Sequence, residues 1–180
     1  MKKTLTLLAV ATVYLANAGG LGAAEANVRQ TTLPYVTITG ADSHVTQRGC
    51  FRVMSEDQWI KTWQRHKGAK ETQNYDLYYN PLGLPYVDFG QCMVIAIFQG
   101  RGWNSAGLKV VAILEEKDRT VLRFQDKSYQ TEGPGGGGEQ VTVYGFFVLP
   151  RSGKTVVVEE DVQRYLGQPP VWKERVKLPK

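Results

Sequence analysis

The sequence predicts a mainly β protein, an antiparallel β-sandwich or open barrel with one amphipathic helix packed on it. Short β-branched runs alternate with turns rich in glycine and proline along most of the chain. The longest apolar run beyond the N-terminal leader, MVIAIF at residues 93–98, is bounded by Gly90 and Gly100 and is typical of a strand buried on both faces. Strong helix signals occur at residues 55–68.

The composition is that of one globular domain of ordinary size. The chain has 180 residues, of which 42% are hydrophobic and 22% charged, so it can bury a sizeable core. Its net charge of +5 falls once Lys2 and Lys3 are removed with the leader. Acidic and basic residues are interspersed after residue 100, which is typical of a solvated surface. We therefore expect no nucleic-acid partner.

The N-terminus has the layout of a secretory signal peptide. Lys2 and Lys3 precede an apolar stretch at residues 5–15, and small residues offer cleavage after Ala18 or Ala26. The apolar stretch is shorter than the ~20 residues that span a bilayer, although an uncleaved anchor is the alternative. We predict a signal peptide and flexible leader over residues 1–26, cleaved between 18 and 26, and a single domain over 27–180. The product is then an exported bacterial protein, periplasmic or secreted, without membrane insertion.

The first ordered segments are two strands and the helix. Residues 35–39 suit one strand, and residues 44–46 followed by 49–54 suit a second. Ser55 and Gln58 form a capping box at the start of the helix, and Gly68 can take the left-handed position after its end. One side of this helix carries aromatic and apolar residues at helical spacing, which favours packing on a sheet over a ligand platform: Trp59, Ile60, Trp63 and His66.

A long aromatic loop is predicted over residues 69–88. It contains Tyr75, Tyr78, Tyr79 and Tyr86. Tyrosines of this kind either stack on a sugar or partner chain, or cover the helix and the sheet edge. We favour the covering role.

The second half of the chain reads as strands joined by turns. A glycine-rich turn at residues 100–107 is followed by a hairpin of residues 108–114 with 120–126, and then by a glycine-rich loop at 132–140 that is flanked by glutamates. Two more strands are predicted at 140–149 and 154–159, one helical turn at 160–166, and a last extended segment around Trp172. The short turns imply antiparallel pairing throughout.

The two cysteines, Cys50 and Cys92, are interpreted through the predicted export. In an oxidising compartment an isolated pair usually forms a disulfide, and we predict one here. The alternatives are two buried free thiols, or a catalytic thiol served by His44 or His66.

Several ordered motifs together resemble the PrcB family, named for a subunit of a secreted or cell-surface bacterial protease complex. The helix with Trp59 and Trp63 is followed by PYVDF at 85–89, by MVIAIFQG and AGLKVVAI, and by VYGFFVLPRS at 143–152. The similarity covers residues 50–158. The resemblance implies a noncatalytic β-rich domain that stabilises or assembles with a protease.

Catalytic, metal and cofactor motifs are not evident in the sequence. Asp42, Ser43 and His44 are so close in the chain that their side chains diverge, and the acidic clusters lack calcium-loop spacing. We therefore expect no catalytic residue, no metal and no cofactor.

The function expected from the sequence is an exported, noncatalytic interaction domain. Gly102, Trp103, Asn104 and Gly107 are the candidate partner-binding residues, because glycines allow close backbone approach and tryptophan is a frequent anchor. The partner is expected to be a protein, with a protease implied by the resemblance. The alternative is a carbohydrate-binding module of the cell envelope that uses exposed aromatic residues.

Overall fold

The computed structural model describes residues 34–72, 74–131, 136–163, 165 and 167–180, so the predicted signal peptide lies outside the described residues. In these ranges the chain forms one helix and eight strands. In chain order they are β1 (Val36–Gly40), β2 (Gly49–Val53), α1 (Glu56–His66), β3 (Cys92–Trp103), β4 (Ser105–Glu115), β5 (Arg119–Ser128), β6 (Gln140–Pro150), β7 (Thr155–Asp161) and β8 (Trp172–Leu178).

The strands form two four-stranded sheets, which confirms the mainly β sandwich. The first sheet has the order β1-β6-β3-β2 and the second has the order β4-β5-β7-β8. Neighbouring strands are antiparallel except β5 and β7, which are parallel. The expectation of antiparallel pairing throughout is wrong for this pair. Between β5 and β7 the chain crosses to the first sheet as β6, and it therefore re-enters the second sheet in the same direction.

The main core lies between the sheets. Its apolar side chains come from alternate positions of the facing strands, among them Ile95 in β3, Phe124 in β5, Phe147 in β6 and Val158 in β7, each 0% exposed. The predicted burial of residues 93–98 is confirmed, because no member of that run is more than 2% exposed. Complete burial of one such side chain contributes about 1.5–3 kcal/mol.

A second core lies between α1 and the outer face of the first sheet, as predicted. Trp59, Trp63 and His66 are buried, and the Trp59 ring stands edge-on to Phe146 with centroids 5.0 Å apart. The helix begins after Ser55, whose Oγ accepts a 3.4 Å hydrogen bond from the Gln58 backbone N–H. The molecule therefore has three layers, which are the helix, the first sheet and the second sheet.

The predicted disulfide between Cys50 and Cys92 is wrong, and both residues are free thiols. Cys50 pairs with Ile97 across β2 and β3, whereas Cys92 lies five residues earlier on β3, about 16 Å along the strand. The thiols also lie on opposite faces of the first sheet. A disulfide requires Cα atoms within about 7 Å, so the register separates the pair.

Two local expectations also differ from the structure, and a third lies partly outside the described residues. Residues 44–46 do not form a strand, and neighbouring Asp42 makes only an isolated bridge to Thr142. The predicted helical turn at 160–166 is wrong at its start, since Glu160 and Asp161 belong to β7. The predicted glycine-rich loop lies partly outside the described residues, which omit 132–135.

Candidate functional site

The structure places Trp103 at the outer end of β3. A register shift occurs between Phe98 and Gly100, and beyond it Trp103 pairs with Gln140 of β6. Gly100 has φ +72°, and a side chain there would lie 2.7 Å from the carbonyl oxygen of Thr46. Glycine is therefore required at this shift, which carries the end of β3 past the neighbouring loop. The Trp103 side chain is 62% exposed.

Asn104 forms the corner between the two sheets. It is the single residue between β3 and β4, and its φ of +53° is a left-handed conformation that asparagine tolerates better than most residues. Its backbone N–H donates to the Glu139 carbonyl at 2.9 Å, and its side-chain Oδ1 accepts from the Glu139 N–H at 2.7 Å. Its carbonyl accepts from the Tyr129 N–H at 2.8 Å. Hydrogen bonds to the ends of β5 and β6 thus fix the backbone beside Trp103.

Polar groups lie near the end of β3 that carries Trp103. Tyr129 Oη donates a 2.7 Å hydrogen bond to Glu139, and this bond to a carboxylate raises the pKa of Tyr129. A neighbouring depression of about 590 Å³ is lined by Asp42, Arg101, Glu139 and other mostly polar residues. Trp103 is therefore a large exposed aromatic residue close to polar groups, a combination found in many partner-binding surfaces.

The four candidate residues have different environments. Trp103 is exposed, Gly102 and Asn104 are partly exposed, and a side chain added to Gly102 would meet no atom within 4 Å. Gly107 is buried, and a side chain there would lie 2.5 Å from Thr39 Oγ1 of β1. The prediction that Gly107 belongs to the binding surface is therefore corrected. Its missing side chain instead allows β1 and β4 to approach each other. The sequence motif did not distinguish these two roles of glycine.

The aromatic loop is more exposed than expected. Tyr75 is partly buried, but Tyr78, Tyr79 and Tyr86 are 90%, 79% and 88% exposed, so the covering role is wrong for these three. The loop is fixed to α1 through indole donors, since Trp59 Nε1 donates to the Pro85 carbonyl at 2.8 Å.

This exposed tyrosine group is separate from Trp103. Trp59 contacts Phe146, which pairs with Ala96, and Ala96 lies about 23 Å along β3 from Trp103. The structure thus presents two aromatic surfaces.

Ser43 contacts His66 and not its chain neighbour His44. The distance from Ser43 Oγ to His66 Nδ1 is 3.2 Å, and both residues are buried at 4% and 1% exposure. Burial, followed by the nearby Lys67 charge, lowers the pKa of His66 to about 4. The pair lies where solvent and substrate do not reach it, so we interpret it as part of the core beneath α1.

No family model, no curated protein and no solved structure matches this chain. Within the described ranges, no helix has the length and apolar character needed to cross a membrane. The same ranges contain no group of three His, Cys, Asp or Glu residues arranged to hold a metal ion.

Proposed function

We propose that this protein is an exported, noncatalytic interaction domain that docks a protein partner on the surface around Trp103. The observation that carries the proposal is a tryptophan 62% exposed beside a corner that hydrogen bonds hold in place. Tryptophan is enriched among residues that dominate binding energy. Because the backbone is already ordered, a partner would bind the indole at little entropic cost. Burial of its remaining exposed area would contribute on the order of 3 kcal/mol.

An extracytoplasmic protease is the partner class we favour. The support is the resemblance of residues 50–158 to the PrcB family and the signal-peptide layout of the leader. In this role the domain would stabilise or assemble the protease, and its own residues would take no part in the cleavage chemistry.

Affinity capture from native envelope extracts tests this proposal. The wild-type chain should retain a protein partner, and Trp103→Ala should lose most of it. Tyr86→Ala is the matched control, because it also removes an exposed aromatic side chain, and Tyr86 lies on the other surface. A wild-type chain that elutes alone, or equal capture by Trp103→Ala, would contradict docking at this surface.

Carbohydrate binding is the second candidate, and the exposed tyrosines favour it. Tyr78 and Tyr79 are in edge contact with ring centroids 5.2 Å apart, and Tyr86 is 88% exposed. Exposed aromatic rings of this kind can stack on sugar rings. Calorimetric titration with a panel of cell-wall glycans distinguishes the two functions. Binding that Tyr86→Ala weakens and Trp103→Ala does not would favour the glycan module, and flat titrations across the panel would dismiss it.

A further inference from the structure

A groove of about 460 Å³ lies between α1 and β2, on the helix side of the first sheet. Its floor includes Phe51 and Val53 of β2 together with Phe98 of β3. Lys61 and Arg65 of α1 form part of the opposite wall. The helix core contacts lie over β6, so α1 leaves this part of the sheet face open.

The strand along the groove is a sheet edge. β2 is the last strand in the order β1-β6-β3-β2, and its recorded strand pairing within the described ranges is with β3. Every second residue of an edge strand directs its backbone N–H and C=O away from the sheet, where another extended chain can pair with them. The five residues of β2 span about 17 Å, which is enough for a short added strand.

The floor of the groove presents an aromatic ring to solvent. Phe51 is 43% exposed, and its ring stands edge-on to Phe98 with centroids 6.2 Å apart. The ring also lies over Gly49, where an added side chain would be 2.9 Å from it. Glycine at this position therefore lets Phe51 lie flat along the edge. An exposed aromatic residue on an open edge strand favours association with another chain.

The charged residues that line the groove are all basic: Arg48, Arg52, Lys61 and Arg65. The charged ends of Arg48 and Arg52 lie toward Glu160 of β7 and the β6–β7 turn, so the positive charge on the groove side comes from Lys61 and Arg65 of α1. The guanidinium of Arg52 donates to carbonyl groups of the β6–β7 turn and the C-terminal segment. Arg48 and Arg65 each have one acidic partner outside the groove lining, at 2.8 and 2.6 Å. No ion pair is recorded for Lys61 in the part of the chain that the structure describes. Lys61 therefore presents a positive charge to the groove, and Arg65 presents one that it shares with Glu71, so this wall favours a negatively charged ligand.

We propose that this groove binds an extended, acidic segment of a partner protein, which adds as a strand to the edge of β2. Its apolar side chains lie on Phe51, and its carboxylates approach Lys61 and Arg65. Main-chain hydrogen bonds supply affinity in such strand addition, while alternate side chains supply specificity. This site is independent of the Trp103 surface, so either can fail without the other.

Two other occupants fit the charges less well. A second copy of the chain paired along β2 would bring like charges together at Lys61 and Arg65. Residues 19–33 of the same chain, which follow the earlier of the two predicted cleavage sites, contain one acidic residue, Glu25, and one basic residue, Arg29. A partner segment with several carboxylates complements the groove better than either.

Selection from a random peptide library on the purified protein tests the proposal. We expect enriched peptides that alternate apolar with Asp or Glu residues, and nuclear magnetic resonance on the peptide complex should show new protection of outward-directed β2 amides. The double variant Lys61→Glu/Arg65→Glu should weaken a labelled enriched peptide roughly tenfold to a hundredfold, since like charges then face each other. Phe51→Thr replaces the ring with a residue that also favours strands and should likewise weaken binding.

Lys109→Glu/Lys127→Glu is the matched control, because it makes the same charge change at exposed positions of the second sheet. This control and Trp103→Ala should bind the peptide as the wild type does. Four outcomes would overturn the proposal: no enriched peptide, enrichment without acidic residues, equal binding by the Lys61/Arg65 variant, or protection away from β2. A concentration-dependent dimer that Phe51→Thr abolishes would assign the groove to a second copy. Competition by a synthetic peptide of residues 19–33 would assign it to the chain's own N-terminal segment.

Discussion

Acidification is expected to destabilise the domain through His66. This histidine is 1% exposed, and its ring lies 4.1 Å from the ring of Tyr144, measured between centroids. Its Nε2 has no hydrogen-bond partner among the described residues. Burial, followed by the charges of Lys67 and His44, lowers its pKa from 6.5 to about 4, while Asp42 acts in the opposite direction.

The sign and size of the effect follow from proton linkage. The unfolded chain protonates His66 near pH 6.5, whereas the folded chain resists protonation until about pH 4. The unfolded state therefore binds more protons in this window, and stability falls as pH falls through it. Between pH 8 and pH 5 the loss from this one residue is about 2 kcal/mol, and at still lower pH it approaches roughly 3 kcal/mol.

Urea denaturation at pH 8 and pH 5 measures this loss. His66→Phe keeps an aromatic ring beneath α1 but cannot titrate, so its free energy of unfolding should fall by about 2 kcal/mol less than that of the wild type. His44→Gln is the control, because His44 is exposed on the adjacent loop. If wild type and His66→Phe lose equal stability, buried neutral His66 is not the cause.

Three further perturbations test the packing. Trp63→Ala removes a buried indole and its 2.9 Å hydrogen bond to the aromatic loop, and should lower the free energy of unfolding by about 3–5 kcal/mol in urea denaturation. Gly107→Ala should cost about 2 kcal/mol or more, because φ is +116° and the added carbon meets β1, whereas Gly102→Ala should stay within about 0.5 kcal/mol. Alkylation in denaturant without reductant should label both Cys50 and Cys92 completely, as mass spectrometry would show.

Each of these predictions has a contrary outcome. Equal stability of the two glycine variants would mean that β1 does not pack against β4 as described. A loss below about 1 kcal/mol for Trp63→Ala would place the indole outside the core. If alkylation of the two cysteines requires prior reduction, the predicted disulfide is present after all.

The helix and the central strand could be predicted because their signals are local. Ser55 and Gly68 mark the ends of the helix through their own backbone chemistry, and the run 93–98 is apolar at every position. Trp59 and Trp63 share one helix side, so their burial followed from spacing alone.

Features that depend on strand register were not available from the sequence. The separation of Cys50 from Cys92 results from the offset between β2 and β3, and the burial of Gly107 results from the approach of β1. The exposure of the tyrosines has a different but also nonlocal cause, since two indole donors of α1 bind backbone carbonyls of the loop and the phenol rings stay outside. The outward position of Trp103 depends on a register shift that only the paired strand reveals.

The order in which the strands enter the two sheets means that neither sheet can fold as a separate fragment. The first sheet needs β6 to join β1 to β3, and the second needs β7 to join β5 to β8, so each layer is completed by a strand that follows a visit to the other. A fragment ending before β7 would leave only β4 and β5 to cover the inner face of the first sheet. Nearly the whole chain must therefore be synthesised before either sheet is stable, and we expect the domain to fold in a single cooperative transition.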